Sequence, residues 1–88
     1  MKYQVAIGFS GRIKDYAALR ESLLGIEAEC LEENSAFSTE HVSNPQVGNY
    51  DKETHAIFLF EEATYAMAFQ RAVVDKRLAT KIYVDEIR

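Results

Sequence analysis

The sequence predicts one α+β domain spanning residues 1–88, with the ferredoxin-like order strand, helix, strand, strand, helix, strand. Two observations support this prediction. Segments whose apolar residues recur at every second position are interspersed with segments whose apolar residues recur every three or four positions. A four-stranded antiparallel sheet with two helices on one face would bury all of these apolar stripes together, with right-handed crossovers.

The first half of the chain is predicted to form a strand, a helix and a second strand. Residues 2–9 alternate with a period of two, which indicates a strand with one buried face. The next apolar residues follow helical spacing, and we expect a helix over 16–24 that Asp15 caps and Gly25 ends. Residues 26–33 alternate again, which predicts the second strand.

The second half begins with a long connection and ends with a strand, a helix and a strand. Residues 34–53 contain several turn-forming residues, and we interpret them as a partly irregular connection. Residues 36–42 within it are predicted as a short strand that can pair with the strand before it. Alternation then predicts a strand over 54–60, helical spacing predicts a helix over 63–77, and a final strand is predicted over 80–87.

Negative charge is concentrated in the middle of the chain. Residues 27–62 contain nine acidic residues and one basic residue, Lys52, whereas the two flanks hold the other nine Lys and Arg against five acids. The formal charge is therefore −8 in the middle and +2 in each flank, for a total of −4. Such segregation influences the choice of binding partner more than it influences the fold.

Composition argues against a membrane-spanning or secreted protein. The longest apolar run, Ala56–Phe60, is far shorter than the roughly 20 residues that span a bilayer. The N-terminus leads directly into a strand-like segment without a signal-peptide pattern. Cys30 is the only cysteine, so an intramolecular disulfide is impossible and we expect a reducing, cytoplasmic setting.

Residues 54–73 resemble part of the RNA-recognition motif. Their sequence, THAIFLFEEATYAMAFQRAV, is similar to the third strand and second helix of that family, in which an apolar strand ends in an aromatic residue, an acidic pair follows and an alanine-centred helix packs back. Tyr83 on the last strand fits the same topology. The resemblance implies the ferredoxin-like fold.

The positions that bind RNA in that family carry other residue types in this chain. Its basic and glycine positions are occupied by Glu53 and Thr54, and its two stacking aromatic positions by His55 and Ile57. Base stacking contributes about 1–3 kcal/mol per base, and phosphate contacts require a basic surface. The sequence therefore argues against nucleic-acid binding, although an RNA-recognition-motif-like binder remains an alternative function.

The turn after the first strand supplies a second alternative. Residues 8–12, Gly-Phe-Ser-Gly-Arg, resemble the phosphate-binding loop of the acylphosphatases, which share this fold and size. The resemblance implies Arg12 as the anion-binding residue and Asn44 or Asn49 as the amide that orients water. A small hydrolase is thus the enzymatic alternative.

No other set of residues has the pattern of a catalytic, cofactor or metal site. His41 and His55 could join Cys30 or a glutamate at a metal ion, but their spacing matches no known ligand pattern. The pairs Glu32-Glu33 and Glu61-Glu62 would point to opposite faces of a strand and would not converge on one substrate. We therefore expect no catalytic residue, no metal ligand and no cofactor, and we interpret Cys30 as inert core packing.

The expected function is non-catalytic protein binding. An acidic surface would bind a partner that is itself basic and binds nucleic acid, as a small inhibitor or adaptor does, for example one encoded by a bacteriophage. The predicted partner contacts are six acidic residues and three apolar anchors: Glu29, Glu32, Glu33, Glu40, Asp51, Glu53, Ile57, Leu59 and Tyr83. The three anchors lie on the sheet face opposite the helices. That face is a candidate for self-association, or else residues 34–53 fold back and cover it.

Overall fold

The computed structural model of the protein describes residues 2–9, 16–48, 54–79 and 81–88. The described residues form four strands and two helices, in the order β1 (Tyr3–Phe9), α1 (Tyr16–Glu33), β2 (Glu40–Val42), β3 (Thr54–Phe60), α2 (Ala63–Asp75) and β4 (Lys81–Glu86). The strands form one antiparallel sheet in the order β2-β3-β1-β4. The predicted ferredoxin-like α+β class is confirmed.

Helix α1 is 18 residues long and continues through Gly25 to Glu33. The predicted helix end at Gly25 and the predicted strand over 26–33 are therefore wrong. Four buried side chains, spaced four, three and four residues apart, occupy one face of the helix: Leu19, Leu23, Ile26 and Cys30. Because this stripe continues without a break across Gly25, burial favours one long helix over a short helix and a strand.

The second strand lies later in the chain than its predicted position over 26–33. β2 comprises only Glu40–Val42, inside the segment 36–42 that was predicted as an additional short strand. It pairs with β3, with His41 opposite Phe58, and not with the residues before it. The predicted order of strands and helices is still correct, because the second strand forms in the connection after α1 and not at residues 26–33.

The other elements agree closely with prediction. β3 has the predicted bounds 54–60, β1 and β4 each lie within the predicted segments, and α2 ends two residues before the predicted position 77. β1 lies in the centre of the sheet, with Val5 opposite both Phe58 of β3 and Val84 of β4. The apolar residues of each of these segments follow one spacing only, either that of a strand or that of a helix, and each segment forms the element that this spacing predicts.

Aromatic rings dominate the core between the helices and the sheet. Phe69 of α2 is fully buried, and its ring centroid lies 4.7 Å from that of Phe58 and 5.5 Å from that of Phe60. Phe37, which follows α1, packs edge-on against Phe60 and Tyr65 at 5.9 and 5.8 Å. The connection after α1 thus closes the end of the core at which β3 stops.

The centre of the sheet face opposite the helices is also buried. The alternation in the sequence predicts burial of only one face, the one that packs against the helices. Ala6 is completely buried, and Ile57 and Leu59 are only 2% and 7% exposed. The expectation that this face is open to a partner or to a second copy is therefore wrong for the centre of the face.

Residues 43–48, which we call the strap, contact this face through Gln4. The Gln4 side chain is completely buried. Its Oε1 accepts a hydrogen bond from the Gln46 backbone N–H at 2.6 Å, and its Nε2 donates to the Val47 carbonyl at 3.1 Å. A buried amide whose two ends both bond to one segment holds that segment in place. The strap therefore matches the expectation that the connection folds back over the sheet.

Candidate protein-binding surface

Exposed glutamates gather at the end of the sheet where β1 begins. Tyr3 is opposite both Phe60 and Glu86, so β3 and β4 end where β1 starts, and Glu40 is opposite Leu59 at the start of β2. α1 also ends nearby, because Phe37 reaches Phe60 only four residues after the helix stops. We call six exposed glutamates at this place the acidic end: Glu32, Glu33, Glu40, Glu61, Glu62 and Glu86.

The acidic end carries a net negative charge. The described basic residues near it include Lys2, next to Tyr3, and Arg88, just beyond β4; Arg71 of α2 lines one depression together with Glu33. Among the described residues, the six carboxylates of the acidic end thus outnumber these three cations. At the opposite end of the sheet the described residues include Lys76, Arg77 and Lys81 beside one acid, Asp75, so among these residues the net charge differs in sign between the two ends.

The end of α1 adds to this negative potential. The C-terminus of a helix carries a partial negative charge from its unpaired carbonyl groups, and basic residues normally compensate it. The last turn of α1 contains no basic residue and includes Glu32 and Glu33. Their carboxylates and the helix dipole thus both make the electrostatic potential at this end more negative.

The structure brings together three of the six predicted acidic contacts. Glu32, Glu33 and Glu40 are exposed at the acidic end, and none of them forms an ion pair within the described part of the chain. Glu29 lies one turn before Glu33 on the side of α1 that faces α2, and it is paired: its Oε1 is 3.1 Å from the Lys76 Nζ. Both partners are about half exposed, so this pair contributes little stability.

Several residues named from the sequence lie outside the described residues. These are the predicted contacts Asp51 and Glu53, the predicted helix cap Asp15, and Arg12 and Asn49 of the hydrolase alternative. The candidate metal ligand His55 belongs to β3, but its side chain is likewise outside the description.

The three predicted apolar anchors do not form one exposed patch. Ile57 and Leu59 are buried, which corrects the expectation that they lie on the surface. Tyr83 is 36% exposed on β4, opposite Ala6 of β1. Tyr83 is therefore accessible at the surface of the protein, whereas Ile57 and Leu59 are not.

Sequence reasoning missed both acidic and apolar members of this surface. Glu61, Glu62 and Glu86 join the acidic end only because their strands end beside the start of β1. Leu24 and Leu31 of α1 are 54% and 49% exposed. Leu31 was missed because residues 26–33 were interpreted as a strand, but its spacing of seven from Leu24 is a helical signal that the sequence does contain.

Burial and charge alter two titratable groups of α1. Burial raises the pKa of the Glu27 carboxyl above its ordinary value of 4.5. Burial also raises the pKa of the Cys30 thiol, and the carboxylates of Glu33, Glu29 and Glu27 raise it further. The thiol of Cys30 therefore stays protonated at neutral pH, which makes it a poor nucleophile.

The described residues contain neither a metal-ligand cluster nor a membrane-spanning helix. No three His, Cys, Asp or Glu side chains in residues 2–9, 16–48, 54–79 and 81–88 converge as metal ligands. Neither α1 nor α2, the two helices described, has the length and apolar character needed to span a bilayer.

Comparison with known proteins identifies no family, because no protein-family model and no curated protein matches the chain. The function therefore has to be inferred from the acidic end and the surfaces around it.

Proposed function

We propose that the protein is a non-catalytic binding domain whose acidic end docks onto the basic surface of a partner protein. The observation that carries the proposal is the set Glu32, Glu33 and Glu40, which are exposed, without ion pairs in the described residues, and next to the negative end of α1. Lysine and arginine side chains of a partner would complement both the carboxylates and the helix dipole.

The arrangement of charge has an electrostatic cost in the free protein that binding would relieve. Acidic residues in the last turn of a helix are unfavourable by about 0.3–1 kcal/mol each, and carboxylates at one end of a domain repel one another. A basic partner removes both penalties on docking. The same potential repels polyanions, so it disfavours direct binding to nucleic acid.

Exposed charges alone provide steering rather than affinity. Individual surface ion pairs contribute at most about 1 kcal/mol, whereas buried apolar anchors dominate most interfaces. Leu31 precedes Glu32 directly and is half exposed, and Leu24 lies two turns before it on the same face. These two leucines replace the buried Ile57 and Leu59 as the proposed anchors.

The finer identity of the partner is also part of this proposal. A protein that binds nucleic acid has a basic groove for phosphates, and a rigid acidic end would occupy such a groove as a competitor. The role would be that of a small inhibitor or adaptor, including one encoded by a bacteriophage. The single cysteine suits a cytoplasmic protein.

Two charge-matched triple variants test the proposal. The variant Glu32→Gln, Glu33→Gln, Glu40→Gln removes three carboxylates of the acidic end. The control Glu21→Gln, Glu29→Gln, Asp75→Asn removes three carboxylates elsewhere on the helices and changes the net charge equally. Immobilised wild-type protein captures basic proteins from a bacterial lysate at low and at high salt, and the affinity of each captured protein is then measured with all three purified forms.

The acidic-end variant is expected to lose at least about tenfold in affinity, equivalent to about 1.4 kcal/mol, while the control loses much less. Equal losses in both variants would show that net charge, and not this end of the molecule, determines binding. Failure to capture any basic protein at low salt would refute the proposed function.

A further inference from the structure

A groove runs between α1 and the edge of the sheet. One depression of about 240 Å³ lies between α1 and the edge formed by β2 and β3, with Phe58 in its lining. A second depression of about 280 Å³ lies between α1 and residues 37–39. Both include Leu24 and Glu27, so they form a continuous feature, which we call the α1–β2 groove.

The α1–β2 groove has an apolar helix wall and an aromatic floor. Leu24, Ala28 and Leu31 are spaced four and three residues apart, and all three are exposed along the helix. Across from them, the His41 ring stacks on Phe58 with a centroid separation of 4.9 Å. An extended chain lying here would bury apolar side chains against leucine on one side and aromatic rings on the other.

The backbone of β2 offers hydrogen bonds along this groove. The Thr39 Oγ1 donates a hydrogen bond to the Leu59 carbonyl at 2.9 Å, so the backbone of Leu59 points toward β2. Hydrogen-bonded and non-hydrogen-bonded pairs alternate along antiparallel strands. Because Leu59 is opposite Glu40 and Ile57 is opposite Val42, this alternation directs the backbone groups of Glu40 and Val42 toward β3 and those of His41 away from it.

β2 is an edge strand, so the outward N–H and C=O of His41 face no other strand of the described sheet. Such an edge can accept an additional strand from another protein. The structure thus places a backbone template directly beside a groove of apolar side chains.

We propose that the α1–β2 groove binds an extended segment of the partner protein as an additional strand on β2, with alternate apolar side chains in the groove and lysine or arginine residues at the acidic end. This inference rests on the proposed function and specifies the recognition mode. A strand places every second side chain on one face, so one segment can fill the groove with apolar residues and direct basic residues outward.

Charge complementarity selects a basic segment over a second copy of this chain. Glu27 lines the groove, Leu31 at one end of the groove precedes Glu32, and Glu40 lies at the start of β2. Pairing two β2 edges would bring these carboxylates close to their own copies, and like charges across an interface are costly. A segment carrying Lys or Arg pairs with them instead.

The segment also has an expected orientation. Arg20 lies in the lining of the depression toward the beginning of α1, whereas Leu31 and Phe37 lie toward the acidic end. We therefore expect the basic residues of the bound segment at the Leu31 side and an acidic or carboxyl group at the Arg20 side.

A displayed library of short random peptides provides the probe. Wild-type protein is expected to enrich sequences with apolar residues at alternate positions and Lys or Arg between or after them. Ala28→Gln fills the middle of the groove without changing charge, and Ala68→Gln makes the same change at an exposed position of α2. Synthetic peptides of the enriched pattern should bind Ala28→Gln about tenfold more weakly than Ala68→Gln.

Two controls separate a groove effect from loss of structure and from loss of function. Unfolding curves should show both glutamine variants folded, and Leu24→Gln, at an exposed position, provides a second groove variant if Ala28→Gln is unstable. Backbone amide resonances of the wild type should shift most at His41 when peptide is added. Shifts confined to other regions, or equal affinities for both glutamine variants, would overturn the inference.

The outcomes also distinguish this inference from the proposed function. Peptides of equal composition can carry apolar and basic residues either in alternation or in two separate blocks. If both kinds bind equally well and in a salt-dependent way, the acidic end is a docking surface and the groove inference is wrong. If no basic peptide is enriched even at low salt although basic proteins are captured from the lysate, only the groove inference is wrong; if neither peptides nor proteins bind, both are wrong.

Discussion

The two helices cover the same face of the sheet but have opposite charge arrangements at their ends. Glu61 and Glu62 precede α2 at the positive end of its dipole, and Lys76 and Arg77 follow it at the negative end. α1 ends with Glu32 and Glu33, and its last turn has no basic residue. The charges of α2 stabilise that helix, whereas the charges at the end of α1 oppose helix formation.

The two helices also end differently. After α2, Arg77 adopts a positive φ of 54°, its N–H donates to the Val74 carbonyl, and the Leu78 N–H donates to the Val73 carbonyl. This pattern is a Schellman motif, which satisfies carbonyl groups at the helix end. At the end of α1 the next residue, Asn34, donates only to the Cys30 carbonyl in the ordinary helical pattern. The comparison shows a helix stabilised at both ends and a helix whose end carries negative charge at the surface of the protein.

The largest expected effect tests how much the core depends on α2. Phe69→Ala should lower the free energy of unfolding by about 3–5 kcal/mol, because the ring is fully buried between Phe58 and Phe60. Met67→Ala, at a position of the same helix that is 54% exposed, should change it by less than about 0.5 kcal/mol. Urea unfolding of both variants measures the difference, and similar losses would contradict the assignment of Phe69 to the core.

The next effect concerns the end of α2. Arg77→Gly should stabilise the protein by up to about 1 kcal/mol, because a left-handed backbone costs a non-glycine residue about 1–2 kcal/mol. The greater freedom of glycine in the unfolded chain offsets part of that gain. Lys76→Gly is the control: its φ of −87° is ordinary, so glycine there should destabilise. Thermal unfolding should move in opposite directions for the two variants.

Gly25 provides the corresponding test in α1. Gly25→Ala should stabilise the protein by about 0.5–1 kcal/mol, because the position is exposed inside the helix and an added Cβ meets nothing within 4 Å. Ala28→Gly, the reverse change one turn later, should destabilise by a similar amount. A destabilising Gly25→Ala, measured by denaturant unfolding, would show that the helix does not continue through this residue.

Charge reversal at the two helix ends tests the comparison directly. At low salt Glu32→Lys should stabilise the protein by about 0.3–1 kcal/mol, and Glu62→Lys should destabilise it by a similar amount. Both variants change the net charge equally, so opposite signs isolate the helix dipole from general repulsion. High salt should reduce both effects. Changes of the same sign would show that repulsion within the acidic end dominates over the dipoles.

The smallest effect is the pH dependence caused by Glu27. Burial raises the pKa of this carboxyl in the folded protein above 4.5, so its ionised form costs stability at neutral pH. Below pH 4.5 the group is protonated in both the folded and the unfolded state, and the cost disappears. Glu27→Gln should therefore stabilise at neutral pH, and its advantage should shrink as the pH falls through the raised pKa toward 4.5.

Unfolding curves over a pH series check this prediction, with Glu21→Gln in the same helix as the matched control. The quantity to follow is the difference in unfolding free energy between the two variants. An advantage of Glu27→Gln that grows as the pH falls would contradict the sign of the effect.

The elements that were predicted correctly have one periodicity, and those that were not have two. The strand over 54–60 alternates throughout, and it was predicted with its observed bounds. Ile26 and Cys30 fit both an alternating strand and the helical stripe that begins at Leu19, and local pattern alone does not choose between them. Packing against α2 and the sheet chooses the helix, since only the helix buries both residues with Leu19.

The candidate surface was predicted in part for a similar reason. The sequence indicates that Glu32, Glu33 and Glu40 are exposed, because carboxylates are rarely buried without a partner. It does not indicate that they share an end with Glu62 and Glu86, because that depends on where the strands stop beside β1.

By itself the sequence determined the α+β class, the central sheet strands, helix α2 and the concentration of acidic residues in the middle of the chain. These properties follow from side-chain periodicity and composition, which near neighbours in the chain encode. Tertiary contacts were needed to show that residues 26–33 continue α1 instead of forming the predicted second strand. They also determined that the strap bonds to Gln4, 42 and 43 residues away in the chain, and which carboxylates lie at one end. Contacts between distant segments set burial and charge clustering, and no local pattern contains them.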